Sequence, residues 1–173
     1  MAARLERIGV RRRGGSFSPP FGTSRDALPV VQLRAPEPGP VVIVTANVHG
    51  DEVTGVVAVH RLDDRLTATL LRGTVVLYPS LNPQGLQQQQ RVQPGDGVDL
   101  NRMFPGDLDG QGATRLAGAL WADIRSRRPD ALVDLHADSA VSIPYVIVDR
   151  ATHLQGPERD RMAGAGRAMA EAA

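Results

Sequence analysis

Apolar and polar positions alternate along this chain with two different periods, which predict strands and helices in turn. Short apolar runs rich in valine, leucine and isoleucine are typical of strands that are buried on both faces of a sheet. Clusters of glycine and proline between the runs indicate turns. On this basis strands are predicted at Leu28–Leu33, Val41–Ala46, Thr74–Tyr78, Ala131–Leu135 and Pro144–Val148.

Helical spacing, with an apolar residue every three or four positions, occupies the intervals between several of these runs. Val53–Leu71 has this spacing and is predicted to form one or two helices. Ala113–Arg127 is predicted to be an amphipathic helix that Pro129 stops. The alanine-rich end, Pro157–Ala173, is also predicted to be helical. Strands that alternate with helices indicate an α/β fold with a largely parallel sheet.

Two long segments show neither period. Residues 1–26 are rich in arginine, glycine, serine and proline, and we predict an irregular lead-in. Within them, the run Arg11–Arg13 favours a solvated surface over an anion site. Asn82–Gly110 is polar and is predicted to be a long loop in which Gln87–Gln90 is filler. A loop of this length inside a compact domain is usually functional or disordered.

Candidate chemistry follows three of the predicted strands. His49 and Glu52 come after the second strand, Asn82 after the third, and His136 directly after the fourth. Because ligands of such sheets bind at the carboxyl ends of the strands, we expect these side chains to share one edge. Two histidines and a glutamate are a ligand set of hydrolytic zinc sites. The other two histidines, His60 and His153, have no comparable candidate ligands beside them and are predicted to face solvent.

Composition narrows the class of protein. The chain has no cysteine, so a metal must be held by histidine, aspartate or glutamate, and cysteine nucleophiles are excluded. A net charge of +1 and an aromatic content of 3% argue against a nucleic-acid partner. The sequence shows neither a secretory signal nor an apolar run of about 20 residues, so we expect no membrane association and a cytoplasmic location.

A second group of polar residues lies in the long loop. Asn101 and Arg102 could bind a substrate carboxylate, because the planar guanidinium fork matches it, or they could belong to a turn with a surface ion pair. Asp99 could accept the free N–H of a histidine that binds metal. Arg91, ahead of this group, could polarise a carbonyl.

These motifs occur in one order that resembles the succinylglutamate desuccinylase/aspartoacylase family, in the wider zinc carboxypeptidase group. The match runs from about Leu28 to Val148 and rests on these residues: His49-Gly-Asp-Glu52, Asn82-Pro83, Arg91, Asp99-Leu-Asn-Arg102 with Phe104-Pro-Gly, and Asp134-Leu-His136. The resemblance implies a zinc carboxypeptidase-like fold, with a mixed, largely parallel sheet, flanking helices and an incomplete C-terminus.

The same resemblance implies a role for each matched residue. One zinc ion per chain would be held by His49, Glu52 and His136, with Asp99 behind the first histidine. Arg91 would polarise the scissile carbonyl. Asn101 and Arg102 would hold the carboxylate of a small acylated amino acid.

The family's general base, a glutamate on a later strand, has no counterpart here. Glu158 and Glu171 lie in or beside the last predicted helix, and Glu158 is better explained by the helix dipole. We therefore expect the general base to be absent from the chain, and residues 27–173 to be the N-terminal portion of a deacylase catalytic domain. A peptidase of the same group, or a metal-binding fragment without turnover, stays open beside a zinc-dependent deacylase.

Overall fold

A computed structural model describes residues 10–17, 28–138, 145–148 and 155–171. The chain divides into two compact units, Met1–Asp138 and Ser139–Ala173. Within its described residues, the first unit contains five strands: β1 (Arg11–Phe17), β2 (Leu28–Arg34), β3 (Glu37–Ala46), β4 (Arg72–Tyr78) and β5 (Ala131–Leu135). Its helices are α1 (Thr54–Thr69), α2 (Pro83–Gln88), a short 3₁₀ helix (Leu100–Arg102) and α3 (Gly112–Ser126). The second unit contains α4 (Gly156–Glu171).

The five strands form one mixed sheet in the order β1-β2-β4-β3-β5. β3 pairs in parallel with both β4 and β5, whereas β2 pairs antiparallel with β1 and β4. The predicted α/β class with a mixed sheet and flanking helices is therefore confirmed. The parallel part, β4-β3-β5, brings three strand ends to one edge, as the order of the sequence motifs requires.

The second half of β3 is buried on both faces of the sheet, whereas its first four residues are exposed. Ile43 is fully buried in the cluster that packs against α3, and Val44 belongs to the cluster that packs against α1. Helix α1 contributes Val59 to this second cluster. Two apolar layers thus cover the sheet from opposite sides, which explains why the sequence of β3 shows no polar alternation.

The prediction of an irregular lead-in is wrong over Arg11–Phe17, which forms β1 at the edge of the sheet. Its sequence has no apolar alternation, and the strand exists because its backbone pairs with β2. The side chain of Arg12 is half exposed and pairs with Asp63 of α1, with 2.6 Å between Nη2 and Oδ2. The local pattern of apolar and polar residues could not predict these contacts, because they join β1 to residues distant in sequence.

The structure differs from two further predictions. The loop predicted over Asn82–Gly110 contains α2 and the 3₁₀ helix, each too short to show an apolar period. The strand predicted at Pro144–Val148 is wrong over residues 145–148, which have no regular secondary structure, and residue 144 lies outside the described residues. His153 also lies outside them, whereas His60 is exposed on α1 as expected.

The second unit is described by helix α4 and the short segment 145–148. α4 confirms the predicted terminal helix as far as Glu171, and it has no buried residue. None of the helices in the described ranges combines the length and the apolar character needed to cross a membrane.

Candidate metal centre

Two neighbouring residues, His49 and Glu52, meet the distant His136 where β3 and β5 end. The parallel register pairs Ala46 with Leu135, so the residues that follow the two strands leave the sheet side by side. His49, Glu52 and His136 each offer a ligand atom, and these atoms all lie within 4.8 Å of one another. His49, Glu52 and His136, which were expected to share one edge of the sheet, thus form a compact cluster.

Both imidazole rings direct the same nitrogen towards Glu52. Nδ1 of His49 lies 2.7 Å from Oε1 of Glu52, and Nδ1 of His136 lies 2.9 Å from Oε2. The ring centroids are 5.1 Å apart and the planes are tilted by 55°. His49 and Glu52 are buried, whereas the side chain of His136 is 32% exposed, which leaves the cluster open on one side.

A second carboxylate stands behind each ring. Nε2 of His49 lies 3.2 Å from Oδ1 of Asp99, and Nε2 of His136 lies 2.8 Å from Oδ2 of Asp134. The hydrogen bond with Asp134 raises the pKa of His136 above its ordinary value. A carboxylate at Nε2 favours the tautomer with the proton on that nitrogen, which leaves the Nδ1 lone pair free to bind a metal.

Sequence reasoning assigned no role to Asp134, although it quoted the residue in the Asp-Leu-His motif. A spacing of two places Asp134 and His136 on the same side of an extended chain, which was the available signal. Thr45 of β3 donates a hydrogen bond from Oγ1 to Oδ1 of Asp134 at 2.7 Å. The carboxylate behind His136 is thus itself held in place by the neighbouring strand.

Arg91 lies at the exposed rim of the cluster. Its Nη1 is 3.4 Å from Oε1 of Glu52, and its Nε is 3.7 Å from Oδ2 of Asp99. About half of its side chain is exposed. The guanidinium therefore faces both the cluster and the solvent from which a substrate would arrive.

Asn101 and Arg102 lie on the 3₁₀ helix directly after Asp99, whose carboxylate caps that helix by accepting from the backbone N–H of Asn101 at 2.9 Å. Asn101 is half-buried and Arg102 is exposed. Within the described residues, neither side chain makes a hydrogen bond to the two histidines or to Glu52. Asn101 and Arg102, predicted to bind a substrate carboxylate, thus directly follow Asp99, which contacts His49, but their own side chains do not contact the cluster by hydrogen bonds.

The donor chemistry of the cluster fits zinc. Two imidazole nitrogens and one carboxylate are the protein ligands of catalytic zinc sites that keep a fourth position for water or substrate. Each imidazole has an outer carboxylate partner, as such ligands usually do. The open side at His136 supplies access for a fourth ligand.

The chain is similar in sequence to known proteins. A sequence profile of the succinylglutamate desuccinylase/aspartoacylase catalytic domain matches residues 38–171. The N-alpha-acetyl-L-2,4-diaminobutyric acid deacetylase of Halomonas elongata is 34% identical over 64% of this chain and 32% of its own length. Murein peptide amidase A of Escherichia coli is 37% identical over 55% of this chain and 40% of its own. The chain therefore spans well under half the length of these curated relatives.

Solved structures share the fold. A succinylglutamate desuccinylase/aspartoacylase from Rhodobacter sphaeroides is 33% identical, with a TM-score of 0.64 over 72% of this chain and 39% of its own. A metallo-carboxypeptidase from Pseudomonas aeruginosa, 20% identical over 80% of this chain and 37% of its own, has a TM-score of 0.54, which confirms the carboxypeptidase-like fold. With the profile covering most of its residues, the chain belongs to the succinylglutamate desuccinylase/aspartoacylase family.

Proposed function

We propose that this chain carries the metal-binding part of a zinc-dependent hydrolase that cleaves the amide bond of N-acyl amino acids or related small amides. The observation that carries the proposal is the convergence of Nδ1 of His49 and Nδ1 of His136 on the carboxylate of Glu52. The relative from Halomonas elongata, by its name a deacetylase of an N-acetylated amino acid, supports this reaction class.

One zinc ion per chain is the proposed cofactor. His49, Glu52 and His136 would hold it, and when bound it would supply Lewis acidity and a water of lowered pKa. Asp99 and Asp134 keep the two imidazoles oriented through their Nε2 atoms.

Three polar residues are proposed to bind the substrate: Arg91, Asn101 and Arg102. Arg91, at the exposed rim, is the proposed donor to the carbonyl oxygen of the amide, where developing negative charge needs a hydrogen bond. Asn101 and Arg102 are the proposed ligands of the substrate carboxylate, because a guanidinium binds a carboxylate through two parallel hydrogen bonds.

Zinc content tests the ligand set directly. We expect purified protein to hold about one zinc per chain, and His49→Ala and His136→Ala each to lose it. His60→Ala is the matched control, since His60 is exposed on α1 and outside the cluster. Equal zinc in all four proteins, or none above background in the unsubstituted protein, would remove the site.

No residue is assigned the role of general base. The three carboxylates that reach the cluster within the described residues, Glu52, Asp99 and Asp134, all contact a histidine ring. We therefore expect the zinc-loaded 173-residue chain to hydrolyse N-acyl amino acids slowly or not at all. Robust hydrolysis that a chelator abolishes would place a base inside the chain, and Glu158→Gln would be the first variant to measure.

A second candidate is hydrolysis of an amide bond in a peptide. Murein peptide amidase A, by its name an amidase of cell-wall peptides, is 37% identical over the segment that it shares with this chain. A binding panel separates the two candidates. Protection of the zinc-loaded protein against thermal unfolding by small N-acyl amino acids, and not by peptides, supports the deacylase, and the opposite ranking supports the amidase.

A further inference from the structure

A buried asparagine holds the loop that carries His49 and Glu52. Asn47 follows the last residue of β3, is fully buried and has a φ of 57°, in the left-handed region that asparagine tolerates better than most residues. The two hydrogens of its Nδ2 are shared among three backbone carbonyls, those of His49 at 2.8 Å, Gly50 at 3.1 Å and Glu52 at 3.2 Å. One side chain thus contacts the backbone of both residues whose side chains enter the cluster.

The orientation of this amide is fixed from the neighbouring strand. Ser80, buried just beyond the end of β4, donates from Oγ to Oδ1 of Asn47 at 2.6 Å. With Oδ1 occupied by a hydroxyl donor, the NH₂ group must face the three carbonyls. A carboxylate could not replace it, because an aspartate would offer an acceptor where three acceptors already converge.

On its opposite side, the same loop contacts the backbone of Gln90 and Arg91. Gly50 donates its N–H to the carbonyl of Arg91 at 3.3 Å. A Cβ at Gly50 would stand 2.5 Å from the carbonyl oxygen of Gln90, which is far inside normal contact distance. The loop is therefore clamped between Asn47 and the segment before Arg91, and its ligands have little freedom to move apart.

We propose that Asn47, oriented by Ser80, is a positioning residue that sets the metal affinity and coordination geometry of the His49–Glu52–His136 cluster. The inference rests on the proposed metal centre. It assigns Asn47 no contact with metal or substrate. Its hydrogen bonds keep the backbone carbonyls of the ligand loop at fixed positions, so that the ligands meet the metal without rearrangement.

Asn47→Gly is the sharpest variant, because glycine accepts the left-handed backbone while removing every side-chain hydrogen bond. We expect zinc Kd, measured by competition with a chromophoric chelator, to rise about 10–100-fold. The visible spectrum of the cobalt-substituted protein should also shift, since it reports coordination geometry. Unchanged Kd and unchanged cobalt spectrum in a variant with native circular dichroism would overturn the inference.

Ser80→Ala tests the positioning role of Asn47 if the Asn47→Gly protein does not fold. It leaves the asparagine in place and removes the hydroxyl that orients it, and we expect a rise in zinc Kd of roughly 5-fold. Ser126→Ala is the matched control, since that exposed serine hydroxyl bonds to a helix carbonyl of α3, and it should leave Kd unchanged. A Ser80→Ala protein with the Kd of this control would overturn the inference. Zinc binding by the unsubstituted protein, lost in His49→Ala, keeps failure here separate from failure of the proposed metal centre.

Discussion

At the scale of single residues, Arg91 opposes metal binding by the cluster in two ways. Its guanidinium lies 3.4 Å from Glu52 and 3.7 Å from Asp99, so it neutralises carboxylates that would otherwise attract a cation. The same positive charge would repel a metal ion bound by Glu52. Because half of the side chain is exposed, solvent weakens but does not remove this repulsion.

We therefore expect Arg91→Gln to bind zinc about 3-fold more tightly than the unsubstituted protein, and the gain to shrink as salt is raised. Arg102→Gln is the control, since it makes the same change in net charge at an exposed position without a hydrogen bond to Glu52. Chelator competition at two salt concentrations measures both. Weaker zinc binding by Arg91→Gln would mean that Arg91 organises the site rather than opposing the metal.

Some residues of the candidate site could be predicted from the sequence, and others could not. His49, Glu52 and His136 could be predicted because strand ends of a parallel sheet share an edge, and two histidines with a glutamate form a known ligand set. Asn47 could not be found in this way. Its effect depends on backbone carbonyls and on a serine that follows another strand, and neither leaves a pattern in residue types.

At the scale of elements, a polar network joins β4 to α3. Tyr78, at the end of β4, donates its hydroxyl hydrogen bond to Asp123 of α3, and Arg127 pairs with the same carboxylate at 3.0 Å. The guanidinium also lies 5.8 Å from the centroid of the Tyr78 ring. Burial, and next the bond to Asp123, raise the pKa of Tyr78, so the phenol stays protonated as a donor.

Tyr78→Phe should lower the free energy of unfolding by about 1–2 kcal/mol, because Asp123 loses one donor but keeps Arg127. Denaturant unfolding measures the change. Tyr145→Phe, at a residue that is exposed in the second unit, is expected to have no effect. If the two substitutions were equivalent, the network would contribute nothing to the packing of α3 on the sheet.

The edge strand β1 is tied to α1 by the pair Arg12–Asp63. The hydrogen bond from Arg12 lowers the pKa of Asp63 in the folded protein. An aspartate with a lowered pKa stabilises the fold above its unfolded pKa of about 3.9, and this contribution is lost as pH falls through the folded pKa.

Arg12→Gln should accordingly unfold at lower denaturant concentration than the unsubstituted protein at neutral pH, and the difference between the two midpoints should shrink as pH falls from about 3.9 through the lowered pKa of Asp63. Arg13→Gln, at the next and exposed position of β1, is the control and should track the unsubstituted protein at every pH. A difference for Arg12→Gln that is independent of pH would show that the ion pair does not cause it.

Elements were predictable where their own side chains carry the reason for their structure. β3 and β4 contain apolar runs that are buried in the sheet, β5 is an apolar run of which Val133 and Leu135 are partly buried, and α1 and α3 place an apolar stripe against the sheet. β1 was missed because its stability comes from pairing with β2 and from Arg12, not from an apolar face. α2 was missed because six residues are too few to show a period, although Asn82 and Pro83 are a usual helix start.

At the scale of the whole first unit, a metal in the cluster would join parts of the chain that are far apart in sequence. Glu52 and His136 are 84 positions apart and follow different strands, so the unfolded chain offers no such site. A ligand that binds only the folded state raises its stability by about 2.7 kcal/mol at a concentration of 100 times Kd.

Zinc should therefore raise the thermal unfolding midpoint of the unsubstituted protein and of His60→Ala, and leave that of His49→Ala unchanged. Calorimetry with and without a chelator measures the three midpoints. An equal rise in all three proteins would indicate binding elsewhere and would separate the cluster from the stability of the sheet.

The register of β3 and β5 has a consequence for how this sheet is assembled. Thr45 pairs with Asp134, and Val133 and Leu135 face the opposite apolar cluster. A slip of one residue would turn Asp134 and His136 into that apolar cluster and bring their apolar neighbours to the site. A misaligned β5 would thus both bury charged groups and lose the metal site. Zinc binding would therefore favour the correct register of β5 over the shifted one.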